Sequence, residues 1–243
     1  MNAHTFISTT GSGITRAGYM EGKWQIAGLL EDAAVTSIVR DPTQAQTIYA
    51  STRNQGVMRS TDCGQTWQSL GLAGQVIKSI AVCRADPQVI YAGTKPPAIF
   101  VSRDGGKTWA EMESFRSLRR WFWFTPAEPG DAYVMGLAVS PTNPDVVNAG
   151  VEFGGVFRST DGGKTWDGHL RGTTRDCHAL RFHHTVGEWV YQAGGGWPAA
   201  VSADGGSTWS QPRRGLGWSF YGMAAAADSA NPEIWYLSAA PHA

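Results

Sequence analysis

The sequence predicts an all-β chain, a β-propeller of four-stranded antiparallel blades, incomplete as given and forming the N-terminal portion of a ring of roughly seven. Three observations carry this. The octet Ser-x-Asp-x-Gly-x-Thr-Trp occurs four times, at Ser60–Trp67, Ser102–Trp109, Ser159–Trp166 and Ser202–Trp209. An aliphatic residue, Ile38, Ile80, Leu137 or Leu180, stands 24 positions before the Asp of each octet. No segment sustains a 3.6-residue period with helix caps, which excludes a helical solenoid. Five fixed positions returning four times mark a repeat array with a period of roughly 42–45 residues.

The elements follow in order. Residues 5–29 supply three strands of a partial blade whose octet has decayed, with Tyr19 where Asp62 stands one repeat later. Four full blades are expected at 35–71, 77–112, 134–170 and 177–214. Each opens on a strand around the aliphatic landmark and turns at Asp41-Pro42, Asp86-Pro87, Pro141–Pro144 or Thr185–Gly187. A second strand then holds Tyr49, Tyr91, Asn148 or Tyr191. A third strand runs into the octet and a fourth leaves from its Trp. Residues 220–240 read as the first two strands of a further blade. The 243 residues are thus one propeller domain, 1–243. A compact five-blade ring with a redundant strand is the alternative.

Within the octet the Asp carboxylate suits backbone N–H groups just after it, as in Asx-turns. The Gly allows a backbone angle that side chains disfavour, and the Trp returns to the sheet core. The motif resembles the Asp-box, or BNR repeat, of sialidase-like, sortilin-like and photosystem-assembly-factor-like β-propellers. The resemblance implies a structural role for Asp62, Asp104, Asp161 and Asp204, since a catalytic centre needs one carboxylate and the box supplies four. It also implies that the first-to-second strand turns and the boxes lie on one face, with the remaining loops around the central channel on the other. The Arg-Ile-Pro segment of sialidases is missing, which speaks against sialidase activity.

Departures from the repeat gather on the channel face. The connection between the second and third blades carries about 15 extra residues, Ser114–Pro126, in which Arg120, Trp121 and Trp123 could grip a ligand or instead form a lid over a blade end. Arg53, Glu152 and Trp197 fall in loops after the second strands, and Asp176, His178 and Tyr221 enter first strands. Arg181 replaces the small residues Val39, Ala81, Ala138 and Ala226, so it needs a buried partner or a water-filled channel; it is expected to reach the channel and pair with Asp176 or Glu152. The expected ligand site is therefore Arg53, Arg120, Trp121, Trp123, Glu152, Asp176, His178, Arg181, Trp197 and Tyr221. The expected function is a ligand- or partner-binding face without the sialidase catalytic set. The alternative is a sialidase-like or xyloglucanase-like glycoside hydrolase, with Glu152 and Asp176 as an acid–base pair.

Composition narrows the partners. Twenty basic against twenty acidic residues gives zero formal charge, which does not suit a nucleic-acid backbone. Carbohydrate or a protein or peptide remains as partner. Cys63, Cys83 and Cys177 lack metal-ligand spacing, so neither metal, cofactor nor disulfide framework is expected. No signal peptide or membrane span is visible at the start, and a cytoplasmic location is expected.

Overall fold

The structure, a computed structural model, describes residues 5–118, 123, 132–168 and 170–241. Strands β1 (Thr5–Thr9), β2 (Ile14–Met20) and β3 (Lys23–Leu29) form a three-stranded meander. Next come the four-stranded sheets β4 (Val35–Arg40), β5 (Ile48–Thr52), β6 (Val57–Ser60), β7 (Gln68–Ser69) and β8 (Val76–Val82), β9 (Ile90–Lys95), β10 (Ile99–Ser102), β11 (Ala110–Glu111). A single helical turn, α1 (Glu113–Arg116), precedes β12 (Val134–Val139), β13 (Val147–Val151) and β14 (Gly155–Ser159). Then follow β15 (Asp176–Phe182), β16 (Val190–Gly195) and β17 (Ala199–Ser202), and finally β18 (Tyr221–Ala227) paired with β19 (Trp235–Ala240). All pairings are antiparallel, and the last two strands join β16 through one residue pair, Gly195 with Tyr221. The all-β propeller class read from the repeats is the fold observed.

The third and fourth repeats differ from expectation in their outermost strand. It shrinks to one bridge in each, Arg158 with Asp167 and Val201 with Ser210. Gly168 and Pro212 follow almost at once, one weakening a strand and the other removing a ladder donor.

The octets sit where the third strand turns toward the fourth. In the third repeat Ser159 is buried, and its Oγ accepts from the Gly163 N–H at 2.8 Å and donates to Asp161 Oδ1 at 2.8 Å. Asp161 in turn accepts from the Thr165 N–H at 2.9 Å and from the Thr165 hydroxyl at 2.6 Å. The same set recurs at Ser60, Ser102 and Ser202. The serine is thus the buried anchor, while the aspartate caps the turn nearer to solvent. Gly105, Gly162 and Gly205 hold φ of 71–72°, and Cys63 takes the same left-handed angle at 60° in the first box.

Boxes bind backward onto the first turn of their own sheet, as in Gly162 N–H to Asp145 O at 2.9 Å and Gly205 N–H to Glu188 O at 2.7 Å. Arginines on the preceding sheet reach across to them: Arg16 Nε donates to Cys63 O and Arg158 Nε to Gly205 O, both at 3.0 Å. Between neighbouring sheets lie the apolar layers, such as Val35, Ala50 and Met58 against Ile14. The outward faces of the first and last sheets carry Phe6, Trp24, Ile26 and Tyr236, 49–72% exposed.

One irregularity recurs in every innermost strand. The register breaks between Val35 and Ser37 in β4, Ile77 and Ser79 in β8, Val134 and Gly136 in β12, Cys177 and Ala179 in β15, and Gly222 and Ala224 in β18. The residues left over are Thr36, Lys78, Met135, His178 and Met223. A bulge bends its strand and re-aims the extra side chain. All five border one central cavity of about 200 Å³, walled otherwise by the innermost strands. The repeat therefore builds a ring of five side chains around the channel, identical in backbone and different in chemistry.

Candidate ligand-binding site at the channel mouth

Around this ring the loops of the mouth add further polar groups. Glu152 follows β13, and its N–H donates to Tyr133 O at 3.0 Å, which ties that loop to the segment entering β12. Burial, then the adjoining Glu152 carboxylate within hydrogen-bonding reach, raises the Tyr133 phenol well above its ordinary pKa. Glu152 Oε2 is buried with no hydrogen-bond partner among the described residues.

One sheet further on, Asp176 and His178 form a buried pair, with His178 Nε2 and Asp176 Oδ2 3.1 Å apart but too bent for a hydrogen bond. The imidazole Nδ1 lies 2.7 Å from the carbonyl of Gly222, which fixes a proton on that nitrogen. A neutral ring would then turn an Nε2 lone pair toward a carboxylate, so protonation is favoured. Burial pulls the His178 pKa down, yet Asp176 and the Gly222 carbonyl outweigh it and the net shift is upward. The Tyr221 ring lies against the imidazole, 4.4 Å between centroids. Asp176 Oδ1 is left buried without a protein partner among the described residues. Glycine is required opposite it: a Cβ on Gly195 would collide with Asp176 Oδ2, and one on Gly194 with the Asp176 carbonyl.

Trp197, in the loop after β16, carries the Arg213 guanidinium 4.6 Å from its ring centroid and keeps Nε1 buried without a hydrogen bond among the described residues. Around Tyr133 stands a cationic sector. Lys78 Nζ lies 4.3 Å and Lys95 Nζ 5.9 Å from the Tyr133 ring centroid. Burial, then the charge of Arg53, lowers the Lys78 pKa, with Lys95 adding to it and Glu152 opposing. Arg53 is exposed at the rim, its N–H donating to Ala34 O at 3.2 Å.

Of the residues expected at a site, Glu152, Asp176, His178 and Tyr221 come together here, Arg53 and Trp197 lie on flanking loops, and Arg120 and Trp121 fall outside the described residues. Two expectations are corrected. Trp123 is 2% exposed, packed 5.6 Å from Phe115 and 5.1 Å from Phe157 between ring centroids, so this part of the inserted segment plugs the interior of its blade. Arg181 is exposed and pairs with neither Asp176 nor Glu152. Its neighbours are Phe182, His183 and His184 at the other end of the channel. The reason is length. Five residues of extended strand separate Arg181 from Asp176, roughly 16 Å, more than the two side chains span. Lys78, Lys95 and Tyr133 were missed. Aligning the repeats on the landmark would have exposed Lys78, which shares its position with Thr36, Met135, His178 and Met223.

Comparison with known proteins agrees with this architecture. The BNR/Asp-box repeat model matches residues 100–111 and 157–167. No curated protein matches the chain. Among solved structures, an ancestral GH74 enzyme superposes with a TM-score of 0.63 at 20% identity, over 84% of this chain and 27% of its own. The GH74 xyloglucanase from Xanthomonas campestris gives 0.64 at 14% identity, over 96% and 40%. YCF48 bound to D1 peptide gives 0.58 at 18%, over 94% and 69%. At such identities the likeness is one of fold, and the chain spans well under half the length of these GH74 enzymes.

Proposed function

We propose that this chain, a BNR/Asp-box repeat β-propeller, is a binding module whose channel mouth takes a polar, hydroxyl-rich ligand such as a carbohydrate. The observation that carries the reading is the pair of orphaned carboxylate oxygens, Glu152 Oε2 beside the Tyr133 phenol and Asp176 Oδ1 beside the His178–Tyr221 ring pair. A buried acceptor without a partner costs about 1–3 kcal/mol, and a ligand hydroxyl or N–H recovers it. Sugars present several hydroxyl donors at their edges, which matches a site with two such acceptors.

Binding is favoured over hydrolysis by the charge arrangement. A glycosidase needs one carboxyl group that holds a proton and gives it to the leaving oxygen. Asp176 is instead engaged within the fold, its Oδ2 3.1 Å from an imidazole that gains from being protonated.

A glycan array followed by calorimetric titration tests the reading, with chromogenic glycosides run in parallel. The expected result is saturable binding without turnover, weakened about tenfold or more in Asp176→Asn and Glu152→Gln while both variants stay folded. Turnover lost in Glu152→Gln would replace the proposal with the hydrolase reading. Full binding in both variants would remove the mouth as the site.

A further inference from the structure

The cationic sector of the mouth carries charge that neutral hydroxyls do not require. Lys78 is the bulge residue of β8, so its backbone aims it at the channel by the same device that aims His178. Its four counterparts in the ring, Thr36, Met135, His178 and Met223, leave it as the one permanently charged member. It is half-buried, and among the described residues it makes no ion pair. Thr36, by contrast, is consumed by the fold, donating to Ile77 O at 2.6 Å.

The ammonium is also positioned. Lys78 and Lys95 both lie against the Tyr133 ring at cation–π distance. Arg53 approaches from the rim closely enough to act on Lys78. Three like charges gathered at one edge repel one another, and that repulsion, after burial, depresses the Lys78 pKa. Among the described residues Glu152 opposes the charge of Lys78, but it adjoins the Tyr133 hydroxyl. Lysines that merely cover apolar surface spread their heads into water. Here two heads converge on one ring.

We infer that Lys78, with Arg53 at the rim, forms an oxyanion subsite beside the Glu152–Asp176 sector, so that the ligand carries a carboxylate or phosphate group as well as hydroxyls. The inference rests on the mouth being a binding face. It adds that an acidic sugar should bind better than its neutral parent. The anion would lie on the Lys78 side of Tyr133 and the hydroxyls on the Glu152 side.

The test is a titration of the intact chain with glucuronate, glucose and inorganic phosphate at fixed ionic strength, read by calorimetry. In parallel, lysines are dimethylated with 13C-formaldehyde and the Lys78 resonance is followed against pH. Glucuronate is expected to bind on the order of tenfold tighter than glucose, the value of one charge-assisted contact. The Lys78 pKa is expected to rise when phosphate or glucuronate saturates the site, since an anion favours the charged amine. Lys78→Met should abolish the preference for glucuronate and still fold, because Met135 and Met223 occupy the equivalent bulges. Lys78→Arg should restore binding.

Asp176→Asn separates this inference from the preceding one. It should weaken sugar hydroxyl binding and leave phosphate binding intact. Phosphate binding alone, with no sugar of either kind, keeps the oxyanion subsite and assigns it to a phosphorylated ligand. Equal affinity for glucuronate and glucose, with a Lys78 pKa that phosphate leaves unmoved, overturns the inference even if glucose binds well.

Discussion

Replacing Ser159 by alanine should destabilise the chain more than any change to the neighbouring aspartate, although the aspartate names the motif. Ser159 is 2% exposed, and its Oγ is the acceptor for the Gly163 N–H at 2.8 Å, a contact buried on both sides. Alanine leaves that N–H without a partner, in a turn whose φ of 87° at Gly163 leaves little room to relax. The cost of an orphaned buried donor is about 1–3 kcal/mol. In a chain of this size each kcal/mol lowers Tm by about 2–4 °C, so a fall of about 2–12 °C is expected. Asp161 sits nearer to solvent, and water can replace part of what its carboxylate supplies. Asp161→Ala should therefore lower Tm less. Scanning calorimetry on the two variants at pH 7 makes the comparison. Ligand affinity at the mouth should be unchanged in both, because the boxes lie on the turns at the other end of each sheet. A neutral Ser159→Ala, or a larger loss in Asp161→Ala, would refute the assignment of the serine as anchor.

Three further outcomes are expected. The folded pKa of His178 lies above its ordinary 6.5, so the stabilisation from its pairing is complete below 6.5 and fades as pH rises through the folded value; the Tm difference between wild type and His178→Gln should shrink over that interval, and a difference constant from pH 5 to 9 would contradict the pairing. The carboxylate of Asp161 titrates near 2 instead of 3.8, held down first by the Thr165 hydroxyl and then by the Thr165 N–H; its contribution is present above 3.8 and lost as pH falls through about 2, so the Asp161→Ala deficit should disappear in acid denaturation profiles. Gly195→Ala drives a methyl group into Asp176 Oδ2, and should displace that carboxylate, weaken binding at the mouth and shift the His178 titration seen by NMR.

What the sequence disclosed depended on repetition. Ile38, Ile80, Leu137 and Leu180 could be aligned because each fills the same inter-sheet layer, and the four octets because each closes the same turn. Glu152, Asp176 and His178 stood out for the opposite reason, as polar residues that the repeat does not demand. Lys78 breaks the pattern as clearly, but its significance depends on a bulge, and a bulge leaves no residue signature when its five occupants are Thr, Lys, Met, His and Met. Tyr133 directly follows the long inserted connection, where the repeat offered no register against which to read it. Trp123 was misread because aromatic residues in an insertion are equally suited to gripping a ligand and to filling the blade beneath.

Arg181 makes the same point through distance, and it yields the last prediction. Its departure from Val39, Ala81, Ala138 and Ala226 correctly marked a side chain on the channel wall. The partner was assigned by proximity in sequence, yet along an extended strand five residues carry a side chain roughly 16 Å away, to the opposite mouth. Arg181 there keeps its charge in solvent near Arg84 and His184, where no buried carboxylate is needed. Arg181→Ala should consequently leave ligand affinity at the Glu152–Asp176 mouth unchanged, and should leave Tm nearly so, since alanine fills the same position in β8, β12 and β18. Calorimetric titration of this variant beside Asp176→Asn decides the matter. A loss of affinity in Arg181→Ala comparable to that in Asp176→Asn would mean that the two ends of the channel act on one ligand, and the site would have to be redrawn to run its length.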